Sequence, residues 1–169
     1  IGTGHIGASI ARRCKALDMD VIGVSRQGRP VLGIDNVCTS YELDTVLPTA
    51  DFIVLAAPLT VETRNLFDRR RQALTKPGAG IVNIGRSATM DYIALVENLQ
   101  SGHFSGAILD VFDEEPLPEG SRLWHTPNLI VTPHISADDG NTYVEQVNKY
   151  SVAGGKTVHN YGRCLCSGG

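Results

Sequence analysis

The chain has 169 residues, the size of one ordinary domain, with 42% hydrophobic and 20% charged residues. This composition excludes an extended disordered protein, and the net charge of −3 excludes a general attraction to nucleic acids or anionic membranes. The cysteines include no pairs at zinc-ligand spacing, so we expect no metal site and a reducing, cytoplasmic setting. They are Cys14, Cys38, Cys164 and Cys166.

In chain order, short apolar runs alternate with amphipathic stretches, which is typical of β-α-β units and a parallel sheet. The predicted strands cover residues 21–24, 51–56, 80–84, 106–110 and 129–132. The first predicted helix has a buried face made of Ile6, Ile10, Cys14 and Leu17. Further helices are predicted over residues 41–47, 68–74 and about 138–159. Another, capped by Asp91, has its buried face at Ile93, Val96 and Leu99. The sequence therefore predicts an α/β fold: a Rossmann-type, doubly wound parallel sheet whose first strand is truncated to Ile1.

A glycine-rich turn opens the chain, with Ile-Gly-Thr-Gly-His-Ile-Gly at residues 1–7. In dinucleotide-binding folds, the first glycine permits a tight bend and the second lets the backbone approach a pyrophosphate. The third lets the helix pack closely on the sheet. Gly2, Gly4 and Gly7 match these positions. The alternative is a structural turn without a ligand, because glycine-rich turns are common.

The first strand of such a sheet is central, and each of its apolar side chains contributes roughly 1.5–3 kcal/mol when buried. A strand reduced to Ile1 lacks most of them, a loss comparable to the net stability of a whole domain. We therefore expect the natural chain to have residues upstream of Ile1.

The end of the second strand of the fold bears on the choice of cofactor. In NAD-specific folds an Asp or Glu about 20 residues after the glycines binds the ribose hydroxyls. Ser25 and Arg26 occupy that place, and Arg26 offers a guanidinium to a 2′-phosphate, with Arg29 nearby. The sequence therefore favours NADP over NAD. The alternative is that Arg26 is a solvated loop charge.

Four ionisable residues follow predicted strands, at the carboxyl edge where open α/β sheets bind their ligands. They are Arg86, Asp110, Glu115 and His134. Each has an ordinary explanation by itself: a surface charge, a helix cap, a loop charge and a hydrogen-bonded structural histidine. Their shared place at one edge favours a catalytic site instead.

Five segments together resemble the cofactor-binding domain of the D-isomer-specific 2-hydroxyacid dehydrogenases. They are GTGHIG at 2–7, AAPLTVET at 56–63, KPGAGIVNIGR at 76–86, GAILDVFDEEPLP at 106–118 and LWHTPNLIVTPHI at 123–135. The likeness runs from residue 1 to about 163, which we interpret as one dinucleotide-binding domain. Within the family, Ser25 and Arg26 look most like the NADPH-using glyoxylate and hydroxypyruvate reductases.

The resemblance implies catalytic roles for three residues. Arg86 matches the arginine that holds the carboxylate of a 2-oxo acid and polarises its carbonyl group, a task that suits a planar guanidinium. His134 matches the general acid that protonates the carbonyl oxygen as hydride arrives. Glu115 matches the carboxylate that orients the imidazolium and favours its charged form.

The resemblance also implies a set of cofactor contacts. Asp110 matches a position near the nicotinamide, where a carboxylate helps to orient the carboxamide. Ala57 and Pro58 lie in a segment that the family places against the dinucleotide. The full implied set is Gly2, Gly4, His5, Ile6, Gly7, Ser25, Arg26, Ala57, Pro58, Thr63, Ile84, Gly85, Arg86, Asp110 and His134.

Two features depart from the family pattern. A glycine usually follows the family arginine, and Ser87 in its place would be strained if the position needed a positive φ. Residues 164–169 diverge where family members continue into their other domain. We expect the family's substrate-binding domain to be absent from this chain, because no part of it precedes the glycine turn.

These observations predict an NAD(P)H-dependent oxidoreductase acting on a small 2-oxo or 2-hydroxy acid of the glyoxylate or hydroxypyruvate type. In full-length form we expect a cytoplasmic homodimer with no nucleic acid or membrane partner, and we expect this chain alone to be inactive. The alternative is a dinucleotide-sensing, corepressor-like module, which needs only the glycine turn and the ribose contacts. Another Rossmann enzyme, such as a methyltransferase, is disfavoured by Ser25, Arg26 and the Thr-Pro-His segment that ends at His134.

Overall fold

The computed structural model describes residues 1–136. The strands in this part are β1 (Ile22–Ser25), β2 (Asn36–Thr39), β3 (Phe52–Leu55), β4 (Ala79–Asn83), β5 (Phe104–Leu109) and β6 (Leu129–Val131). The α-helices are α1 (His5–Lys15), α2 (Leu43–Val46), α3 (Arg69–Ala73) and α4 (Tyr92–Gln100). Short 3-10 helices lie at Ser40–Glu42, Leu47–Thr49, Ser87–Thr89 and Arg122–His125. The helix predicted over about 138–159 and the tail at 164–169 lie outside the described residues.

The strands form two parallel sheets that meet at the start of the chain. β1 pairs with β2, and β3, β4, β5 and β6 pair in that order. The backbone nitrogen of Ile1 donates to the carbonyl of Val54 at 2.7 Å, and the carbonyl of Ile1 accepts from the backbone N–H of Ala56 at 2.8 Å. The backbone N–H of Gly2 donates to the carbonyl of Val24 at 2.8 Å. Ile1 and Gly2 therefore lie between β1 and β3, and the predicted parallel α/β arrangement is confirmed.

The predicted strands are confirmed, with bounds that differ by one or two residues. They correspond to β1 and to β3 through β6. The strand β2 was not predicted, because its sequence Asn-Val-Cys-Thr carries little of the apolar pattern that marks a strand. It forms by parallel pairing with β1. The short predicted helices at 41–47 and 68–74 are also confirmed, the first as α2 with a 3-10 helix on either side.

The buried face predicted for α1 is wrong at two of its four positions. Ile6 is 49% exposed and Leu17 is 74% exposed. Leu17 lies beyond the end of α1, and the helix packs through a face centred on Gly7, Ala11 and Cys14, from which Ile6 is rotated away. An apolar cavity of about 170 Å³ lies along this face, so the packing of α1 on the sheets is incomplete.

Asp91 caps α4 as predicted, because its Oδ1 accepts the backbone N–H of Ala94 at 2.9 Å. The prediction that Ile93 is buried is wrong, since this side chain is 60% exposed. The buried positions of α4 are Ala94, Leu95, Val96 and Leu99, and the face that they form is centred near Leu95 and Leu99, which leaves Ile93 outside it.

The core lies against the four-stranded sheet and leaves its carboxyl edge to the loops. The large side chains buried there are Leu55, Phe67, Ile81, Leu95, Phe104 and Leu109. Burial of these side chains fixes the strands, and with them the starting points of the loops at the carboxyl edge. In the part of the chain that the structure describes, no helix has both the length and the apolar character that a bilayer crossing needs.

Candidate active site

All strand pairings within residues 1–136 are parallel, so the carboxyl ends of neighbouring strands lie at the same edge of a sheet. The sequence-predicted residues come from the segments that leave this edge and from the turn that enters α1. In strand order they are Ser25 at the end of β1 and Arg26 after it, Ala57, Pro58 and Thr63 after β3, Ile84, Gly85 and Arg86 after β4, Asp110 and Glu115 after β5, and His134 after β6.

The glycine turn is closed so tightly that two of its positions admit no side chain. Gly2 has a φ of +93°, and a Cβ there would lie 2.6 Å from the backbone nitrogen of Ala57. A Cβ at Gly7 would lie 1.9 Å from the carbonyl oxygen of Gly2. The turn is thereby held against both the end of β3 and the first turn of α1.

The remaining glycine of the turn faces open space. Gly4 directly precedes α1, no side chain caps this helix, and a Cβ at Gly4 meets nothing within 4 Å. A helix N-terminus presents backbone N–H groups and the positive end of a dipole, which suit the pyrophosphate of a dinucleotide. His5 and Ile6 form the exposed first turn of α1. The turn therefore fits the cofactor that the sequence predicts.

The end of β1 carries a polar loop that faces the loop after β3. The hydroxyl oxygen of Ser25 accepts the backbone N–H of Gly28 at 3.1 Å, while the side chain of Arg26 is exposed. The pKa of Glu62 lies below its ordinary value, chiefly because of a hydrogen bond with Thr60 and in smaller part because of the charge of Arg26. Arg26 therefore lies within electrostatic range of the loop that contains Glu62.

The loop after β3 is closed by Thr63. Its hydroxyl donates to the carbonyl of Pro58 at 2.7 Å, and its oxygen accepts the backbone N–H of Thr60 at 2.7 Å. These bonds hold the segment that begins at Ala57 beside the glycine turn. A cofactor contact by Thr63 itself stays a prediction.

The structure brings Glu115 and His134 together as a hydrogen-bonded pair. Nδ1 of His134 lies 2.9 Å from Oε2 of Glu115, and Oε1 of Glu115 accepts the backbone N–H of Phe112 at 2.9 Å. The side chain of His134 is 36% exposed and that of Glu115 is 27% exposed. Because Glu115 uses Nδ1, Nε2 is the ring nitrogen left to face a substrate.

Asp110 lies beneath this pair and holds the segment that carries His134. It is 1% exposed, and its carboxylate accepts the hydroxyl of Thr132 and the backbone N–H groups of Ile135 at 2.9 Å and Ser136 at 2.8 Å. His134 has a φ of +56°, in the left-handed region that costs an ordinary residue on the order of 1 kcal/mol. Asp110 thus stabilises a strained backbone, and its predicted contact with the nicotinamide stays a prediction.

Arg86 belongs to a separate loop and is not part of the Glu115–His134 hydrogen bond. Its Nη1 donates to the carbonyl of Gly85 at 2.6 Å, and its side chain is exposed. The backbone carbonyl of Arg86 accepts from the hydroxyl of Thr89 at 2.6 Å. The backbone is therefore fixed while the guanidinium stays accessible to an anion.

Ser87 does not suffer the strain that a required positive φ would impose. Among the described residues, the non-glycine positions with positive φ are Asp18, Asn65, Asn128 and His134. Ser87 instead begins the 3-10 helix Ser87–Thr89, a conformation that any L-residue adopts. Its presence next to Arg86 therefore distorts nothing.

Two supporting residues were missed by the sequence analysis. Asn83 is fully buried, and its amide donates to the carbonyl of Arg86 and to the hydroxyl of Tyr92, both at 3.2 Å. The hydroxyl of Tyr92 donates to the carbonyl of Val111 at 2.7 Å, and burial raises the pKa of Tyr92 well above its ordinary value, which keeps the phenol protonated. An asparagine at the end of an apolar strand is the signal that could have identified Asn83.

The parallel sheet, the glycine turn and the carboxylate–imidazole pair at one edge define a dinucleotide-binding domain of the dehydrogenase type. Within residues 1–136, no three His, Cys, Asp or Glu side chains form a group that could hold a metal ion. The model of the family "D-isomer specific 2-hydroxyacid dehydrogenase, NAD binding domain" matches residues 1–136. The chain therefore belongs to this family and contains its NAD-binding domain.

Several of the similar curated proteins are named as reductases. The glyoxylate reductase of Thermococcus onnurineus is 39% identical over 137 residues, which are 81% of this chain and 41% of that protein. The glyoxylate/hydroxypyruvate reductase B of Pectobacterium carotovorum is 39% identical over 138 residues, covering 81% of this chain and 43% of that protein. This chain thus spans about two fifths of the length of the curated relatives it matches.

Solved structures of the same family superpose on this fold. A D-isomer specific 2-hydroxyacid dehydrogenase family protein from Aeromonas salmonicida has a TM-score of 0.79 and 42% identity, covering 92% of this chain and 51% of that chain. An NADPH-dependent glyoxylate/hydroxypyruvate reductase from Sinorhizobium meliloti, in complex with NADP and sulfate, has a TM-score of 0.77 and 34% identity. That match covers 90% of this chain and 49% of the other.

Proposed function

We propose that this chain is the cofactor-binding part of an NADPH-linked reductase of small 2-oxo acids, with glyoxylate or hydroxypyruvate as the preferred substrate class. The observation that carries the proposal is the 2.9 Å contact between His134 and Glu115 at the edge that also carries the glycine turn. A protonated imidazole held by a carboxylate is the group that a carbonyl reduction needs as its acid.

The proposed roles follow from the placement of three side chains. A dinucleotide held by the glycine turn would supply the hydride for reduction of the carbonyl carbon. The exposed guanidinium of Arg86 binds the substrate carboxylate and polarises the carbonyl. Glu115 orients His134 through Nδ1, so that Nε2 donates a proton to the carbonyl oxygen. The Asp110 carboxylate maintains the backbone that presents the imidazole.

The preference for NADPH over NADH rests on the end of β1. No carboxylate stands at Ser25 or Arg26 to repel a 2′-phosphate, and the guanidinium of Arg26 is exposed and available to bind one. Arg29 is exposed on the same loop. The Sinorhizobium meliloti relative is described as NADPH-dependent, which agrees with this assignment.

The domain arrangement is also a proposal. We assign residues 1–163 to the dinucleotide-binding domain and 164–169 to a divergent tail, and the substrate-binding domain to residues outside this sequence. The curated relatives are more than twice as long as the segment that matches this chain, which leaves room in those proteins for a second domain. The pocket wall that selects the 2-oxo acid would then belong largely to that other domain.

We further propose a homodimeric, cytoplasmic enzyme. Among the described residues, Cys14 and Cys38 are free thiols, as expected in a reducing compartment. Sedimentation of the full-length protein at micromolar concentration tests the dimer, and a single monomer peak would contradict it.

A corepressor-like sensor finds no support in the comparisons, because the similar proteins described above are reductases. A sensor would also need neither Arg86 nor the hydrogen-bonded pair at the sheet edge. The enzyme is therefore the function that the geometry supports best.

The decisive experiment follows the loss of NADPH absorbance when the full-length protein receives glyoxylate or hydroxypyruvate. We expect turnover by the parent and by the control His125→Ala, whose imidazole is exposed away from the sheet edge in the 3-10 helix Arg122–His125. His134→Ala should lower kcat by about 100-fold or more, since general acids contribute roughly 10²–10⁴-fold. Full activity of His134→Ala would remove His134 as the acid, and a parent that binds NADPH without turnover would favour the sensor.

A further inference from the structure

A hydrogen bond joins two loops at the carboxyl edge, and neither of its two residues has a role in the proposed reaction. The hydroxyl of Ser87 donates to Oδ1 of Asp113 at 2.7 Å. Ser87 directly follows Arg86, and Asp113 comes two residues before Glu115. The bond therefore connects the loop of the substrate-binding cation to the loop of the carboxylate that orients the acid.

On the first loop, the hydroxyl of Ser87 is held by a fixed backbone. Ser87 begins a 3-10 helix, and the hydroxyl of Thr89 donates back to the carbonyl of Arg86 at 2.6 Å. The backbone N–H of Thr89 donates to the same carbonyl at 3.1 Å. If the backbone of Ser87 moved, the backbone of the adjacent Arg86 would move with it.

On the second loop, Asp113 lies inside a turn that is closed by the catalytic carboxylate. The backbone N–H of Phe112 donates to Oε1 of Glu115 at 2.9 Å, so residues 112–115 fold around the carboxylate. Its other oxygen, Oε2, contacts Nδ1 of His134. An anchor on Asp113 thus restrains the turn from which Glu115 holds the imidazole.

The spacing between these loops matters for the chemistry. In a 2-oxo acid the carboxylate and the carbonyl oxygen are on adjacent carbons, so the cation and the acid must stand at a fixed separation. Beneath the edge, Tyr92 already joins the end of β4 to the segment after β5, through Asn83 and the carbonyl of Val111. The contact between Ser87 and Asp113 adds a second connection between the same two segments, at the level of the reacting groups.

We propose that Ser87 and Asp113 are positioning residues, whose hydrogen bond sets the separation between Arg86 and the Glu115–His134 pair. This inference rests on the proposed reductase function. Among the described residues, the side chains of Ser87 and Asp113 hydrogen-bond to each other and to no residue of the glycine turn, so we assign their contribution to substrate reduction and not to dinucleotide binding.

The test uses the full-length protein and three variants. Ser87→Ala removes the donor without changing any charge, Asp113→Ala removes the acceptor, and Asp113→Asn keeps an acceptor oxygen while removing the charge. We expect Ser87→Ala and Asp113→Ala to lower kcat/KM for glyoxylate by about threefold to tenfold, mainly through a lower kcat, because a substrate bound at Arg86 would present its carbonyl oxygen less well to His134. The NADPH dissociation constant and the pH dependence of kcat should stay as in the parent. Asp113→Asn should keep most of the parent's kcat/KM.

Further measurements separate a positioning role from general damage. The double variant Ser87→Ala/Asp113→Ala should be no worse than either single variant, since both remove the same bond. Amide hydrogen exchange over residues 112–115 should be faster in Ser87→Ala. The control Ser101→Ala removes a hydroxyl that donates to Asn98 on the end of α4, and it should change none of these quantities.

The contradicting outcomes are distinct. Additive losses in the double variant, unchanged kinetics in Ser87→Ala, or an equal loss of NADPH affinity would overturn the positioning role while the reductase assignment stands. A parent protein that reduces neither glyoxylate nor hydroxypyruvate would overturn the proposed function, and the positioning role with it.

Discussion

The carboxylate of Asp110 accepts the backbone N–H of Ile135, the residue directly after His134, at 2.9 Å. The same carboxylate binds Thr132 and the backbone of Ser136. A buried anion thus holds both flanks of a histidine whose backbone is left-handed. The backbone that carries His134, the proposed general acid, is therefore held by Asp110, whose side chain is shielded from solvent.

Asp110→Ala should damage both stability and turnover. The substitution leaves three donors without their acceptor, of which those of Thr132 and Ile135 are partly buried and that of Ser136 is exposed. An unsatisfied donor costs about 1–3 kcal/mol when it is buried, so the two partly buried donors should account for most of the loss. We expect a fall in Tm of at least about 4 °C and a lower kcat with glyoxylate, because His134 is no longer held. Asp110→Asn keeps one acceptor oxygen, so its Tm and its kcat should lie between those of the parent and those of Asp110→Ala. The control Asp51→Ala breaks an exposed ion pair with Lys76 and should change neither quantity.

Alanine substitutions at two glycines of the opening turn should affect different properties, stability at Gly7 and NADPH affinity at Gly4. A Cβ at Gly7 would overlap the carbonyl oxygen of Gly2, so Gly7→Ala should destabilise the fold by about 1–3 kcal/mol. A Cβ at Gly4 meets no protein atom, so Gly4→Ala should keep the parent's Tm and weaken NADPH binding by occupying the space for the pyrophosphate. Thermal unfolding and NADPH fluorescence titration measure the two effects. A Gly4→Ala variant with unchanged NADPH affinity would argue against a phosphate at the N-terminus of α1.

The preference for NADPH should depend on Arg26. A charge-assisted hydrogen bond to a phosphate contributes roughly 1.5–3 kcal/mol, so Arg26→Ala should raise the dissociation constant of NADPH by about tenfold or more. The dissociation constant of NADH should stay nearly constant, because NADH lacks the 2′-phosphate. The control is Arg122→Ala, which removes an exposed arginine from the 3-10 helix before β6, the end strand of the four-stranded sheet. Equal affinities of the parent for the two cofactors would contradict the NADPH assignment.

The stability of the chain should depend on pH through Asp44. Its carboxylate accepts from Arg70 at 2.7 Å and Arg71 at 2.8 Å, which lowers the pKa of Asp44 from 3.8 to about 2. Because the pKa is lower in the folded state, these contacts stabilise the fold above about pH 4 and lose their contribution as the pH falls toward 2. Solvent screening keeps the effect modest, since the side chain of Asp44 is 36% exposed.

Urea unfolding of Asp44→Asn and the parent measures this dependence. We expect the variant to be less stable at pH 6, and the difference to narrow between pH 4 and pH 2. Asp51→Asn, which alters an isolated exposed pair, should follow the parent throughout. A difference that is constant over this range would show that Asp44 acts by packing and not by charge.

The position of the site was predictable because it follows from chain topology. Parallel strands deliver their carboxyl ends to one edge, so the placement of Arg86, Glu115 and His134 at that edge could be predicted from strand boundaries alone, while their catalytic roles stay predictions. Their partners could not be predicted in the same way. Whether Asp110 faces the nicotinamide or the backbone of Ile135 depends on rotamers and loop geometry, which strand patterns do not encode.

The errors in the helices and the missed strand have a similar cause. Ile6 and Ile93 fit an apolar spacing, yet the packed faces are set by the neighbours that small residues such as Gly7 and Ala94 allow to approach. The strand β2 has a weak pattern of its own and exists because β1 offers it a partner edge. Local pattern is decisive only where tertiary contacts agree with it.

Ile1 and Gly2 hydrogen-bond to β1 on one side and to the end of β3 on the other, so the segment that enters the glycine turn joins β1 and β2 to the other four strands. Under the proposed function, Arg26, which is assigned to the choice of cofactor, follows β1, while the groups proposed to act on a substrate follow β4, β5 and β6. A substitution at Arg26 is thus expected to alter the choice of cofactor without displacing those groups.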